Sequence, residues 1–183
     1  MKRILIVGTT GSGKTTLARK LAQRLGYPHI ELDALFWEPN WAQADYDVFR
    51  ERVSKATEGE CWIADGNYTS KARDILWGRG DTVVWLDYGL ARIMWQLVTR
   101  TLRRVMRREA LWNENRESLR EQLFTRDSLF LWALKTQPMF RRHFRFLLTQ
   151  PEFAHLRVVQ LGSPRETAKW LKSLDADERG ERG

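Results

Sequence analysis

GTTGSGKT, residues 8 to 15, follows the apolar run R-I-L-I-V (3–7) and leads into a stretch where Leu17, Leu21 and Leu25 recur at helical spacing. Strand, glycine-rich loop and helix in that order match G-x-x-x-x-G-K-[ST] in its proper context, which makes the signal specific. Glycines let successive backbone N–H groups turn inward around an anion, and the helix N-terminus adds its partial positive charge. The loop therefore reads as a cradle for nucleotide phosphates, formed by Gly8, Thr9, Thr10, Gly11, Ser12, Gly13, Lys14, Thr15 and Thr16. Lys14 is expected to reach the β- and γ-phosphates and the Thr15 hydroxyl to ligate Mg²⁺, so ATP and Mg²⁺ are the implied cofactors.

Working outward, strand and helix patterns alternate, as in a parallel sheet covered by helices on both faces. H-I-E-L-D (29–33), C-W-I-A-D (61–65), T-V-V-W-L-D (82–87) and L-R-V-V-Q-L (156–161) read as strands. Helices are expected over 45–57, over the basic stretch 90–108, and over 128–150 with an interruption at Pro138. Residues 109–127 read as a charged insert. Ser163, Pro164 and Glu166 open a last helix with a capping box, and a disordered tail is expected over 175–183. With no repeat or linker, the reading is one domain over 1–174.

Two strands end in carboxylates. Asp65, followed by Gly66-Asn67-Tyr68, is the expected water-mediated Mg²⁺ ligand, with Asn67 and Tyr68 beside the acceptor. Asp87 is expected to cap the helix that begins near Leu90. His29, His143 and His155 are scattered without metal-ligand spacing, so no metal besides Mg²⁺ is expected.

The bulk numbers narrow the class. Apolar residues make up 43% of the 183, enough for a core, and no apolar run is long enough to cross a membrane. Cys61 is the only cysteine, which with the absence of a signal-peptide pattern points to the cytoplasm and to a buried structural thiol. The formal charge is +8, and between Arg92 and Arg145 twelve Arg and one Lys face four Glu and one Asp. Such a stretch can meet nucleotide phosphates, nucleic acid or anionic lipid. No helix-turn-helix, zinc-finger or RNA-binding signature accompanies it, so a nucleic-acid-associated NTPase is the weaker reading.

The motifs G-T-T-G-S-G-K-T-T, L-D-A-L-F-W-E-P-N-W, W-I-A-D-G-N-Y, D-T-V-V-W-L-D and L-W-N-E-N-R-E carry a resemblance to the adenylate-kinase-like P-loop kinases. Within that group the chain is most similar to the bacterial proteins called topology modulation protein or adenylate-kinase-related. The resemblance implies an α/β, nucleoside-monophosphate-kinase-like three-layer fold: five parallel strands in the order 2-3-1-4-5 with a helical lid insert at about 105–128. It also implies a phosphate-binding role for Arg100, with Arg103 and Arg104 nearby, and it sets Ser163, Pro164 and Arg165 beside the base. Gln96 stands where adenylate kinases carry the arginine that stacks on adenine, a departure that leaves base preference open. A monomer is the default expectation at this size.

The stretch E-L-D-A-L-F-W-E-P-N-W (31–41) bears on the acceptor. A nucleoside monophosphate brings a dianion and needs Arg or Lys to meet it, yet none occurs from His29 to Phe49. The stretch offers Asp33 with Phe36, Trp37 and Trp41. A hydroxyl acceptor benefits from a carboxylate that takes its proton, and sugar and shikimate-type kinases resemble this chain in placing an Asp there. Asp33 is thus the expected base, Phe36, Trp37 and Trp41 the pocket, and Arg73 a further holder of the transferred phosphate. A nucleoside monophosphate kinase with a displaced phosphate site is the alternative.

Overall fold

A computed structural model describes the backbone of residues 1–107 and 129–180 and most of their side chains. Five parallel strands are β1 (Arg3–Gly8), β2 (His29–Glu31), β3 (Trp62–Asp65), β4 (Thr82–Leu86) and β5 (Arg157–Leu161), in the order β2-β3-β1-β4-β5. Helices α1 (Lys14–Leu25), α2 (Leu32–Phe36), α3 (Tyr46–Ala56), α4 (Thr69–Arg79), α5 (Leu90–Arg107), α6 (Leu129–Leu148) and α7 (Pro164–Gly180) connect and cover them. The insert expected at about 105–128 lies almost wholly outside the described residues.

Alternation along β1 explains the three layers. Leu5 and Val7 point into one core with Trp62, Trp85, Phe36, Phe49, Trp77 and Phe144, under α2, α3, α4 and α6. Ile4 and Ile6 point into the other, with Ile63, Val84, Leu17, Leu21, Ile93 and Leu97, under α1 and α5. Strands buried on both faces read as unbroken apolar runs, as β1, β3 and β4 do. Trp62, Trp77 and Trp85 are core residues, each at most 2% exposed.

Four sequence expectations change here. Cys61 is half-buried at the margin of β3 rather than a core thiol. Pro138 lies inside a continuous α6, whose lost hydrogen bond is offset by packing of Phe140, Phe144 and Leu147 on the core. Helix α7 runs on to Gly180, through residues expected to be disordered. Asp87 is no helix cap: its carboxylate pairs with Arg141 of α6 and accepts from Gln160 Nε2 at 2.8 Å. Arg141 also donates to the carbonyls of Asp87 (3.0 Å) and Tyr88 (3.3 Å), so this buried carboxylate docks α6 onto the end of β4.

Candidate functional site

The phosphate loop joins β1 to α1 at the C-terminal edge of the sheet, and its conformation depends on glycine. Gly8 and Gly11 have φ of +154° and +76°, and a Cβ on Gly11 would lie 2.6 Å from Leu97 Cγ, so the loop packs directly on α5. Asn67 braces the other side. Its Oδ1 accepts the Gly8 N–H at 3.2 Å and its Nδ2 donates to the Gly8 carbonyl at 2.7 Å. The expected acceptor contact from Asn67 is therefore corrected, because its amide is spent on the loop. Asn67→Ala is expected to destabilise the fold by about 1–3 kcal/mol, since it strands a partly buried peptide group. Chemical denaturation beside an ATP-binding titration would measure it, the binding weakening in step.

Lys14, half-buried at the first turn of α1, donates from Nζ to the carbonyls of Gly8 (2.9 Å) and Thr9 (3.3 Å). Burial pulls its ammonium below the ordinary lysine value, opposed by the charges of Asp33 and Asp65, while Arg100 lowers it further. Lys14, Asp33, Asp65 and Arg100, taken from four separate parts of the chain, thus share one electrostatic site. Thr15 Oγ1 donates to Asp65 Oδ2 at 2.6 Å, and Asp65 is only 3% exposed. The other Asp65 oxygen, Oδ1, lies 2.7 Å from His29 Nε2.

The residues fit Mg-ATP. The Ser12 hydroxyl is buried in the loop with no partner among the described residues, and the Thr15–Asp65 pair presents the hydroxyl and carboxylate that hard Mg²⁺ takes. P-loop kinases use ATP with Mg²⁺. Beside the loop, a cavity of about 270 Å³ is lined by Ser12, Gly13, Thr16, Lys20, Gln96 and Pro164, among others. Gln96 and Pro164, both expected near the base, line it. Ser163 and Arg165 are corrected: the Ser163 hydroxyl is engaged with Glu166 in the capping box, and Arg165 is exposed away from the cavity lining. Arg103 is exposed on α5, and the Arg104 side chain lies outside the described ones.

On the acceptor side, β2 ends at Glu31, and Asp33 sits in the first turn of α2 rather than on the strand. The Tyr68 hydroxyl donates to Asp33 Oδ1 at 2.6 Å; burial first, then the Asp33 charge, pushes the Tyr68 phenol well above its ordinary value. Trp37 meets Trp41 edge-on at 5.7 Å between ring centroids. Asn40 (φ 61°) and Trp41 (φ 58°) both occupy the left-handed region, which is costly for a bulky residue, and Trp41 is 37% exposed. Phe36 is corrected to a core residue, 4% exposed, supporting Trp37, Phe49 and Tyr68 from beneath. Arg73 is corrected too, since it packs over the Phe153 ring (5.5 Å) and near Glu152, away from the cradle.

Sequence reasoning missed His29 and Lys71. Lys71 Nζ lies 5.1 Å from the centroid of Phe36. His29 was findable in principle: β2 pairs with β3 so that His29 stands opposite Ile63, two residues before Asp65. The first arginines after the second strand are turned onto the protein itself. Arg50 forms two bonds to Asp74 (2.8 and 2.6 Å), and Arg52 bonds Glu38 (2.7 Å) and the Leu35 carbonyl (3.0 Å).

Residues 4–88 match the family model described as AAA domain. A putative adenylate kinase of Thermococcus kodakarensis is 34% identical over 71 residues, 35% of this chain and 40% of that protein's length. A shikimate kinase of Marinomonas sp. is 29% identical over 168 residues, 92% of this chain and 72% of the relative. Among solved structures, a gluconokinase from Sinorhizobium meliloti superposes with a TM-score of 0.54 at 19% identity, covering 100% of this chain and 98% of that one. The fold is that of the P-loop kinases. No described helix is long and apolar enough to cross a membrane.

Proposed function

We propose that this chain transfers the γ-phosphate of Mg-ATP to a small-molecule acceptor bearing a hydroxyl group. The observation that carries the reading is the position of Asp33, whose charge acts on Lys14 while Tyr68 holds one of its oxygens. Tyr68 fixes the carboxylate through Oδ1 and leaves Oδ2 to accept the proton of an acceptor hydroxyl. Lys14 and Arg100 supply positive charge where it develops on the transferred group. Thr15 would hold Mg²⁺ directly and Asp65 through water, and the ion would supply positive charge to offset that of the phosphates. Trp37 and Trp41 would form the acceptor wall. The exposed, strained presentation of Trp41 supports this, as do Arg50 and Arg52, whose cations are already paired.

ADP production with Mg-ATP, measured against a panel of hydroxylated metabolites, nucleosides and nucleoside monophosphates, tests the proposal. Stimulation by a hydroxyl compound is the expected result. Stimulation confined to a monophosphate would establish the second reading, an adenylate-type kinase, which Lys71 beside the aromatic set favours. Stimulation by DNA or RNA alone would point to the nucleic-acid-associated NTPase.

The finer expectations join this proposal: one domain over 1–174, a monomer working in the cytoplasm, and a closer kinship with the topology modulation proteins, which rests on the sequence motifs quoted above.

A further inference from the structure

We propose that His29 is a positioning residue for the metal site, aiming the Asp65 carboxylate at Mg²⁺. Asp65 is buried at the end of β3, and an ionised carboxylate only accepts hydrogen bonds. Its contact with His29 Nε2 at 2.7 Å is therefore an N–H donation into Oδ1, while Oδ2 accepts from Thr15 at 2.6 Å. The two bonds pin both oxygens and so fix the carboxylate plane. The imidazole is itself held by the sheet: β2 pairs in parallel with β3, and the His29 side chain is 16% exposed. The strand neighbours Ile63 and Ala64 are apolar and fully buried, and the side chains that hold the Asp65 carboxylate come from β2 and α1. Partners that orient the groups around a metal typically affect its affinity by about 10- to 100-fold.

The inference rests on the Mg-ATP reading of the phosphate loop but not on the nature of the acceptor. Its test is therefore a binding measurement, with a fluorescent ATP analogue titrated against the full chain in EDTA and across a Mg²⁺ series. His29→Leu is expected to raise the Mg²⁺ concentration at half-effect about 10- to 100-fold. It is expected to leave metal-free nucleotide affinity within about two-fold, because the cradle itself is untouched. His29→Gln, which can still donate to Oδ1, is expected to recover most of the loss. In an Asp65→Asn background, His29→Leu is expected to add little, since both act through one carboxylate.

An unchanged Mg²⁺ midpoint in His29→Leu would overturn the proposal. So would a parallel loss of metal-free binding, which would make His29 a support of the fold instead. If the leucine variant does not fold, His29→Asn, whose shorter amide does not reach the place of Nε2, replaces it, and an unchanged Mg²⁺ midpoint there overturns the proposal in the same way. No nucleotide binding by the wild type in any condition would defeat the underlying phosphate-loop reading, a result distinct from either of these.

Discussion

Replacing Asp33 by Asn is expected to lower kcat for the hydroxyl acceptor by about 10²- to 10⁴-fold, the range that a positioned general base contributes. The substitution suits the question because it changes little else. An Asn carbonyl oxygen can still accept the Tyr68 hydroxyl that Asp33 Oδ1 accepts at 2.6 Å, so the first turn of α2 keeps its tie to the loop after β3. ATP affinity is expected to change modestly, because the Asp65 charge still faces the Lys14 ammonium when that of Asp33 is removed. Steady-state kinetics with the acceptor found in the panel, run beside an ATP-binding titration, give the result. A kcat within about three-fold of wild type would remove Asp33 from the chemistry, since an acceptor that is already anionic needs no base.

Lys14→Met is the second large effect. The ammonium is held by the Gly8 and Thr9 carbonyls, and its loss removes a preorganised charge from the site of transfer, for which about 10²- to 10³-fold in kcat is expected. Stability is expected to change little, because relief of the ammonium's desolvation is offset by the Gly8 and Thr9 carbonyls and the Asp33 and Asp65 charges that lose their partner. Burial holds Lys14 below its ordinary pKa, which means the folded protein without nucleotide bears a cost for keeping that charge out of water. An apolar chain of similar length relieves that cost while filling the same space. Thermal denaturation without nucleotide, set beside kcat at saturating ATP, separates the two. A variant that lost activity and stability together would show that Lys14 holds the loop through Gly8 and Thr9 rather than acting on phosphate.

Both predictions concern residues that local pattern made visible, and the misses have a common cause. Arg73 follows Asp65 closely in sequence, but α4 turns its side chain toward Phe153 and Glu152. Asn67 read as a polar loop residue beside phosphate, and only the pairing of β1 with β3 shows that Gly8 consumes its amide. Phe36 could not be told from Trp37 by residue type, since an aromatic in a short helix says nothing of which side faces the core. Asp87 matched a cap by spacing, yet its partner Arg141 is 54 residues away in sequence.

The amino-acid order alone determined the phosphate loop, the alternating α/β pattern and the buried strands. These depend on interactions within about a dozen residues: glycine torsions, the start of one helix, and apolar runs that must be covered on both faces. Tertiary structure decided which carboxylate faces which cation. It brought Asp33, Asp65 and Arg100 to Lys14, set His29 against Asp65, and turned Arg50 and Arg52 onto the protein's own carboxylates. Those contacts join residues far apart in sequence, and a side chain's charge and length do not specify its partner until the sheet order does.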